Sequence, residues 1–167
     1  MMYYSASMNT LDESLMNAVK EGKLLESSRT NIRLLLDGTE SPIAREAVEE
    51  LAAAGEWQEL NDRFYKTLAF GTGGLRGRTI GSIVTRAEQG NGGVNGRPEY
   101  PCVGTACMNY FNVGRAMRGL IIYVNKHVEA TDPGRKPRLV IGHDTRHFSR
   151  DFAEFCAKIG TDLGCDI

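Results

Sequence analysis

Apolar residues recur at helical spacing in four stretches of this chain, and between them lie segments with no period at all. Ser41-Pro42 supplies an N-cap followed by proline at the first helical position, and Ile43, Ala47, Leu51 and Ala54 then fall at offsets 0, 4, 8 and 11. Gly55 ends that helix. Trp57, Leu60, Phe64 and Leu68 continue at 0, 3, 7 and 11 and predict a second helix directly after it. Residues 1–68 therefore read as a helical lead-in, with each stripe a packing surface in preference to a ligand groove.

The pattern breaks between Gly71 and Gly96, where nine of the nineteen glycines fall within 26 residues. This segment predicts loop, with a short strand at Thr79 to Thr85. Asn109 can cap a third helix carrying Val113, Ala116, Met117, Leu120, Ile121, Val124 and Val128 at 0, 3, 4, 7, 8, 11 and 15. Thr131-Asp132-Pro133-Gly134 is a turn, and Arg138 to Gly142 is a compact apolar run of the kind that forms a buried parallel strand. Ser149 then caps a fourth helix with Phe152, Phe155, Cys156, Ile159 and Leu163 on one stripe, and Gly164 can terminate it. Helix, strand, turn, helix is an α/β signature. Cys165-Asp166-Ile167 reads as the opening of a further strand, which leaves the βαβ unit unclosed and gives the expectation of a truncated reading frame.

Composition narrows the function classes. At 167 residues the chain is about one to one and a half domains long, and 20 basic against 21 acidic side chains leave a net charge of -1. That balance argues against disorder and against a strongly basic nucleic-acid binder. No basic stretch followed by an apolar run opens the sequence, and no apolar run is long enough to span a bilayer. Cys102, Cys107, Cys156 and Cys165 form no CxxC pair and are too sparse for a disulfide scaffold, so reduced thiols in the cytoplasm are the simplest expectation.

The segment Phe70-Gly71-Thr72-Gly73-Gly74-Leu75-Arg76-Gly77-Arg78 is the most suggestive chemically. Successive glycines let backbone N–H groups converge on an anion, and Arg76 and Arg78 can grip phosphate oxygens through planar guanidinium groups. The alternative is an ordinary glycine-rich turn with solvated arginines. A dinucleotide fingerprint fits poorly, because Arg76 stands where that motif needs glycine. His143-Asp144-Thr145-Arg146-His147 places polar groups at a strand's carboxyl end, where Asp144 can orient Arg146 toward an anion or merely fix the turn before Ser149. Cys102, Cys107, His143 and His147 supply zinc-type ligands, but at a spacing far from that of a zinc finger.

FGTGGLRG at 70–77, RTIG at 78–81, VGTACMN at 103–109 and VIGHDTRHFSRDFA at 140–153 together resemble the amino-terminal part of the phosphohexomutases, the family of phosphoglucomutase and phosphomannomutase. The resemblance covers nearly all of residues 42–167 and is closest to the phosphoglucomutase-like branch. It implies a three-layer α/β/α sandwich with a mixed sheet, here an incomplete first domain spanning 69–167 behind the lead-in. It further implies reversible transfer of phosphate between the 1 and 6 positions of a hexose, through a phosphoserine, a hexose 1,6-bisphosphate intermediate and Mg2+. The implied partner is a phosphorylated hexose, with no nucleic acid, membrane or protein partner.

Carried over by position, Arg76 matches the arginine that faces phosphoserine and sugar phosphate, with Thr72, Gly73 and Gly74 shaping that wall. Asp144 and Arg146 match the G-x-D-x-R element. No serine here precedes His-Asn, so the phosphate-carrying residue is expected beyond the chain end, and the D-G-D-x-D-R metal loop and the G-E-E-S-G-H sugar loop are also missing. Cys107 stands where many relatives carry a basic residue. The chain is thus expected to be an amino-terminal piece of a hexose-phosphate mutase, inactive alone. The rivals are a non-catalytic α/β module binding a phosphorylated ligand or a partner protein, and a zinc-binding structural domain.

Overall fold

The computed structural model describes the backbone from Met2 onward and side chains from Thr10; Met1 lies outside the described residues. The described residues form seven α-helices: α1 (Met2–Lys20), α2 (Glu26–Asp37), α3 (Pro42–Ala53), α4 (Trp57–Phe64), α5 (Arg86–Gln89), α6 (Tyr110–Thr131) and α7 (Ser149–Asp162). A single 3-10 turn lies at Val94–Gly96. The chain divides into two compact units, Met1–Met108 and Asn109–Ile167.

In the first unit α2 and α3 both pack on α4, and α1 packs on α2 and α3. Their apolar stripes supply the core: Leu15 and Ala18 of α1, Ile32 and Leu35 of α2, Ala47, Val48 and Leu51 of α3, Leu60 and Phe64 of α4. Each fully buried Leu, Ile or Phe in such a core contributes about 2 kcal/mol. The expected helix at Ser41-Pro42 is α3, closed where Gly55 adopts φ +73 and donates its N–H to Ala52 O. The second expected stripe is α4, which stops at Phe64; Leu68 is still buried but lies beyond the helix, its N–H donated to Thr105 O.

Polar side chains fix how these helices join. The Asn61 amide brackets the turn between α1 and α2, accepting from Leu25 N–H at 2.9 Å and donating to Lys23 O at 2.9 Å. Asn31 of α2 donates to Phe64 O at 2.7 Å and so satisfies a carbonyl at the end of α4. The strand expected at Thr79 to Thr85 does not form; Thr85 instead caps the short helix α5.

In the second unit, α6 begins where expected. The Asn109 side chain accepts from Asn112 N–H at 3.1 Å. Val113, Met117 and Ile121 are buried on one side, and Leu120, on the same expected stripe, is exposed. The turn after α6 closes with Arg135 N–H on Asp132 O at 3.1 Å. Met117, Ile121, Ile159 and Cys165 form the core of this unit, with Leu139, Ile141 and Phe155 against it. Helix α7 starts at Ser149 after Phe148 in the left-handed region (φ 65), so Ser149 is the first helical residue and not the cap.

The expected α/β/α sandwich with a mixed sheet is not what the residues form. The apolar run at 138–142 pairs with one segment only, through Leu139 N–H to Asp166 O and Asp166 N–H to Pro137 O, both at 2.9 Å. That makes an isolated parallel bridge between Arg138 and Asp166, and Val140 is fully exposed. A parallel strand is stable when neighbours hydrogen-bond it and helices cover both faces. With a single bridge there is no sheet to layer, and the described residues are mostly helix and loop. Among them no helix is long and apolar enough to cross a membrane.

Because the Asn109 side chain holds one of the N–H groups that open α6, Asn109→Ala is expected to cost about 1–2 kcal/mol. Urea unfolding followed by circular dichroism checks it, and an unchanged midpoint would remove the cap from the account.

Candidate functional site

Helix α4 brings Glu59 and Arg63 one turn apart on one face, the i,i+4 spacing at which a carboxylate meets a guanidinium. Arg63 has no exposed surface. Its Nε donates to Glu59 Oε1 at 2.7 Å, its Nη1 and Nη2 both reach the Glu88 carboxylate, and Nη1 and Nη2 also donate to Val103 O and Ile83 O. Glu88 in turn accepts from Val103 N–H at 2.7 Å and from the N–H and hydroxyl of Thr85, both at 3.0 Å. A buried charge is tolerated only when its hydrogen-bonding groups are satisfied, and here one arginine ties α4 to the segments around residues 83, 88 and 103. Gly81 passes so close that a Cβ there would strike the Arg63 guanidinium, Glu59 Oε1 and Ile83 O.

The basic loop is built against this cluster. Gly71 and Gly74 exchange both backbone hydrogen bonds at 3.1 Å, which makes residues 71–74 a tight turn with Gly74 at φ +97. Two of the N–H groups expected to converge on an anion are thereby used inside the turn. Thr72 and Gly73 form its exposed tip, and the Arg76 guanidinium folds back over Gly73, occupying the space a side chain there would need. Arg76 is exposed and, among the described residues, has no ion-pair partner.

Arg78, read from the sequence as either a second phosphate grip or a solvated arginine, is instead a brace. Its Nη2 lies 3.2 Å from Glu59 Oε1 and its Nη1 donates to Ser82 Oγ at 2.9 Å. The difference follows from Glu59, whose buried carboxylate already serves Arg63 and draws a second guanidinium. Arg76 and Arg78 face an open cleft of about 820 Å³ whose lining also includes Lys23, Lys66, Asn61 and Asp62. Lys23 is paired with Glu21 at 2.7 Å, and the Lys66 ammonium sits 4.9 Å from the Tyr65 ring centroid. Lys23 and Arg78 are thus offset by Glu21 and Glu59, which leaves Lys66 and Arg76 beside Asp62, and Arg76 is the cation there best placed to take a ligand.

Behind the loop, Cys102 and Cys107 are buried with their sulfurs 3.3 Å apart. The hydrogen bond from the Cys102 thiol, assisted by Arg63 and Arg78, holds Cys107 below the ordinary thiol range despite its burial. The same hydrogen bond, together with burial, pushes Cys102 up. No group of three or more His, Cys, Asp or Glu side chains that could hold a metal ion occurs among the described residues. The zinc arrangement of Cys102 and Cys107 with His143 and His147 is therefore not assembled.

Asp144 and Arg146 belong to the second unit. Asp144 accepts from Arg146 N–H at 3.1 Å and from Arg146 Nε at 2.7 Å, and its own N–H donates to Ser149 Oγ at 3.1 Å. This closed hook takes the Ser149 hydroxyl that the sequence assigned to helix capping. The Arg146 side chain is 85 % exposed, so the guanidinium beyond the bonded Nε faces solvent. The hydrogen bonds from Arg146 and Ser149 hold the Asp144 carboxyl below the usual carboxylate range.

Sequence reasoning singled out Arg76, Thr72, Gly73, Gly74, Asp144 and Arg146 as candidates and did not single out Arg63, Glu59 or Glu88. Two signals for the missed residues are present: Glu59 and Arg63 have helical ion-pair spacing, and Thr85-Arg86-Ala87-Glu88 is a capping box, observed as such. Nothing local says that the two carboxylates share one arginine.

Compared with known proteins, residues 86–167 match the family model described as Phosphoglucomutase/phosphomannomutase, alpha/beta/alpha domain I. That is just under half of the chain, and it begins after the FGTGGLRG loop. No curated protein and no solved structure matches the chain.

Removing Arg63 strands two buried carboxylates, so Arg63→Met is expected to destabilise the first unit by about 3–5 kcal/mol. Urea unfolding measures it, and a loss under about 1 kcal/mol would show that the cluster is not a structural hub. For Asp144 the sign runs with protonation: its folded-state pKa is lowered, so the hook is intact above the unfolded value and is lost as pH falls through the folded one. A carboxyl-carbon NMR titration should place its midpoint below the ordinary aspartate value of about 3.9. A midpoint at or above that value would contradict the observed hook.

Proposed function

From the match of residues 86–167 to the domain I model of the phosphoglucomutase/phosphomannomutase family, we propose that this chain is the phosphate-gripping part of a phosphosugar mutase. The reaction is interconversion of hexose 1-phosphate and hexose 6-phosphate through a phosphoserine and a hexose 1,6-bisphosphate. The observation that carries the proposal is Arg76, an exposed guanidinium without an ion-pair partner, set over the Gly71–Gly74 turn on a basic cleft wall.

The chemistry asked of this chain is binding and orientation. Phosphoryl transfer needs in-line placement and neutralisation of equatorial oxygens more than it needs covalent help from the protein. A planar guanidinium offers two parallel donors to a phosphate, fixing its rotation as well as its position, where an ammonium offers a point charge. Lys66 raises the local potential, and Arg78 braces the loop's second half on Glu59 and Ser82. Arg146, held at its Nε by Asp144, presents its outer nitrogens to solvent in the second unit in the same manner.

No ligand cluster for the Mg2+ of such a reaction occurs among the described residues. The sequence also contains no Ser-His-Asn-Pro segment to carry phosphate. The purified 167-residue chain is therefore expected to bind hexose phosphate without turning it over. Four thiols and no disulfide among them suit the reducing cytoplasm.

Amide NMR titration with glucose 6-phosphate and with inorganic phosphate tests the proposal. Shifts centred on residues 71–78 are expected, with affinity falling about tenfold in Arg76→Lys as the fork is lost. Arg86, 92 % exposed and outside the cleft, is the control, and Arg86→Lys should bind as the wild type does. Equal affinity in Arg76→Lys, or shifts confined to other residues, would overturn the assignment.

A further inference from the structure

Cys102 and Cys107 are the two thiols of the first unit, and the proposed function uses neither. Their sulfurs are already in contact at 3.3 Å, and a disulfide needs about 2.05 Å, so an approach of little more than about 1 Å separates contact from bond. The two thiols are unlike. The guanidinium groups of Arg63 and Arg78 favour the Cys107 thiolate, while the hydrogen bond between the sulfurs, together with burial, pushes the Cys102 thiol up.

Their location connects them to the basic loop. Cys102 N–H donates to Thr79 O at 2.8 Å and Met108 N–H donates to Arg78 O at 3.0 Å, so the segment between the cysteines is fastened at both ends to the loop's backbone. Gly77 presses on it so closely that a Cβ would meet Ala106 O at 2.9 Å. Ala106, one residue before Cys107, and Arg78 both line the open cleft, while the two sulfurs themselves are buried behind it.

We propose that Cys102 and Cys107 form a reversible dithiol–disulfide site behind the Arg76–Arg78 loop, oxidised by hydrogen peroxide and reset by a small dithiol. The Cys107 thiolate attacks one peroxide oxygen, the O–O bond breaks, and hydroxide leaves, so that Cys107 becomes a sulfenic acid. The Cys102 sulfur then attacks the Cys107 sulfur; the S–S bond forms, the S–O bond breaks, and the Cys102 proton leaves with the hydroxyl as water. Two thiols lose two electrons, and one peroxide is reduced to two waters. The reductant returns both electrons by thiol–disulfide exchange, ending as its own disulfide.

The test uses the intact wild-type protein at pH 7, treated with hydrogen peroxide, alkylated in denaturant and mapped by mass spectrometry. Both cysteines fall in one tryptic peptide, which on oxidation loses two hydrogens and escapes alkylation. Its oxidation is expected to be at least about tenfold faster than that of Cys156, whose thiol is pushed up by burial, and to be reversed by dithiothreitol. Two alkylated thiols at 102 and 107 after Cys156 or Cys165 has reacted would overturn the proposal, as would linkage of either to another cysteine. Roles are separated in Cys102→Ser, where a sulfenic acid trapped by dimedone should accumulate on Cys107. Trapping on Cys102 in Cys107→Ser at the same rate would overturn the assignment of Cys107 as the attacking thiol, and the wild-type map stands even if either variant fails to fold.

Discussion

A guanidinium with no exposed surface is the constraint on which the first unit rests. Arg63 is always charged, so burying it requires neutralisation and five satisfied N–H groups at one point in space. Glu59 comes from the same helix, Glu88 from a four-residue helix 25 positions on, and the carbonyls of Ile83 and Val103 complete the shell. None of these groups can leave without stranding a buried charge. Glycine-rich chain between residues 71 and 104 has little apolar surface with which to hold itself, and this polar knot fixes it in place of a hydrophobic core.

The consequence for chemistry is a division of labour among neighbouring arginines. Arg63 is internal and structural, Arg78 is half-buried and braces Glu59, and Arg76 alone stands outward over the turn. A phosphate-binding side chain is useful only if its loop does not rearrange when the ligand arrives, since reordering subtracts from affinity. The ordering is done in advance here by a charge cluster that the ligand never meets. The thiol pair shares that cluster, because Arg63 and Arg78 are the cations that favour the Cys107 thiolate.

Much of this was legible in the sequence, and the failures have physical causes. The stripes at 43–54 and 57–64 and the Asn109 cap gave α3, α4 and the start of α6, because local period and capping chemistry act within one helix. Asp144 and Arg146, singled out together, do touch one another, because they lie two positions apart in one turn. The sheet was not, because a strand at 138–142 depends on partners elsewhere in the chain, and one bridge to Asp166 is all the described residues provide. Ser149 lost its capping role to Asp144, and Arg78 its solvent to Glu59; both are competitions between a local partner and one brought in by folding. Glu88 sat in plain view in a capping box, but its pairing with an arginine 25 residues away is a tertiary fact.

Native-state hydrogen exchange bears most directly on the claim that the Arg63 cluster holds the basic loop. The reporting amides are Val103, bonded to Glu88, Ala106, bonded to Arg63 O, and Cys102 and Met108, bonded to Thr79 O and Arg78 O. If the cluster is the fastening, these four loop amides exchange as slowly as the interior amides of α4, because they open only when the unit unfolds. Exchange more than about a hundredfold faster than α4 would mean that the loop opens locally, and would contradict the account.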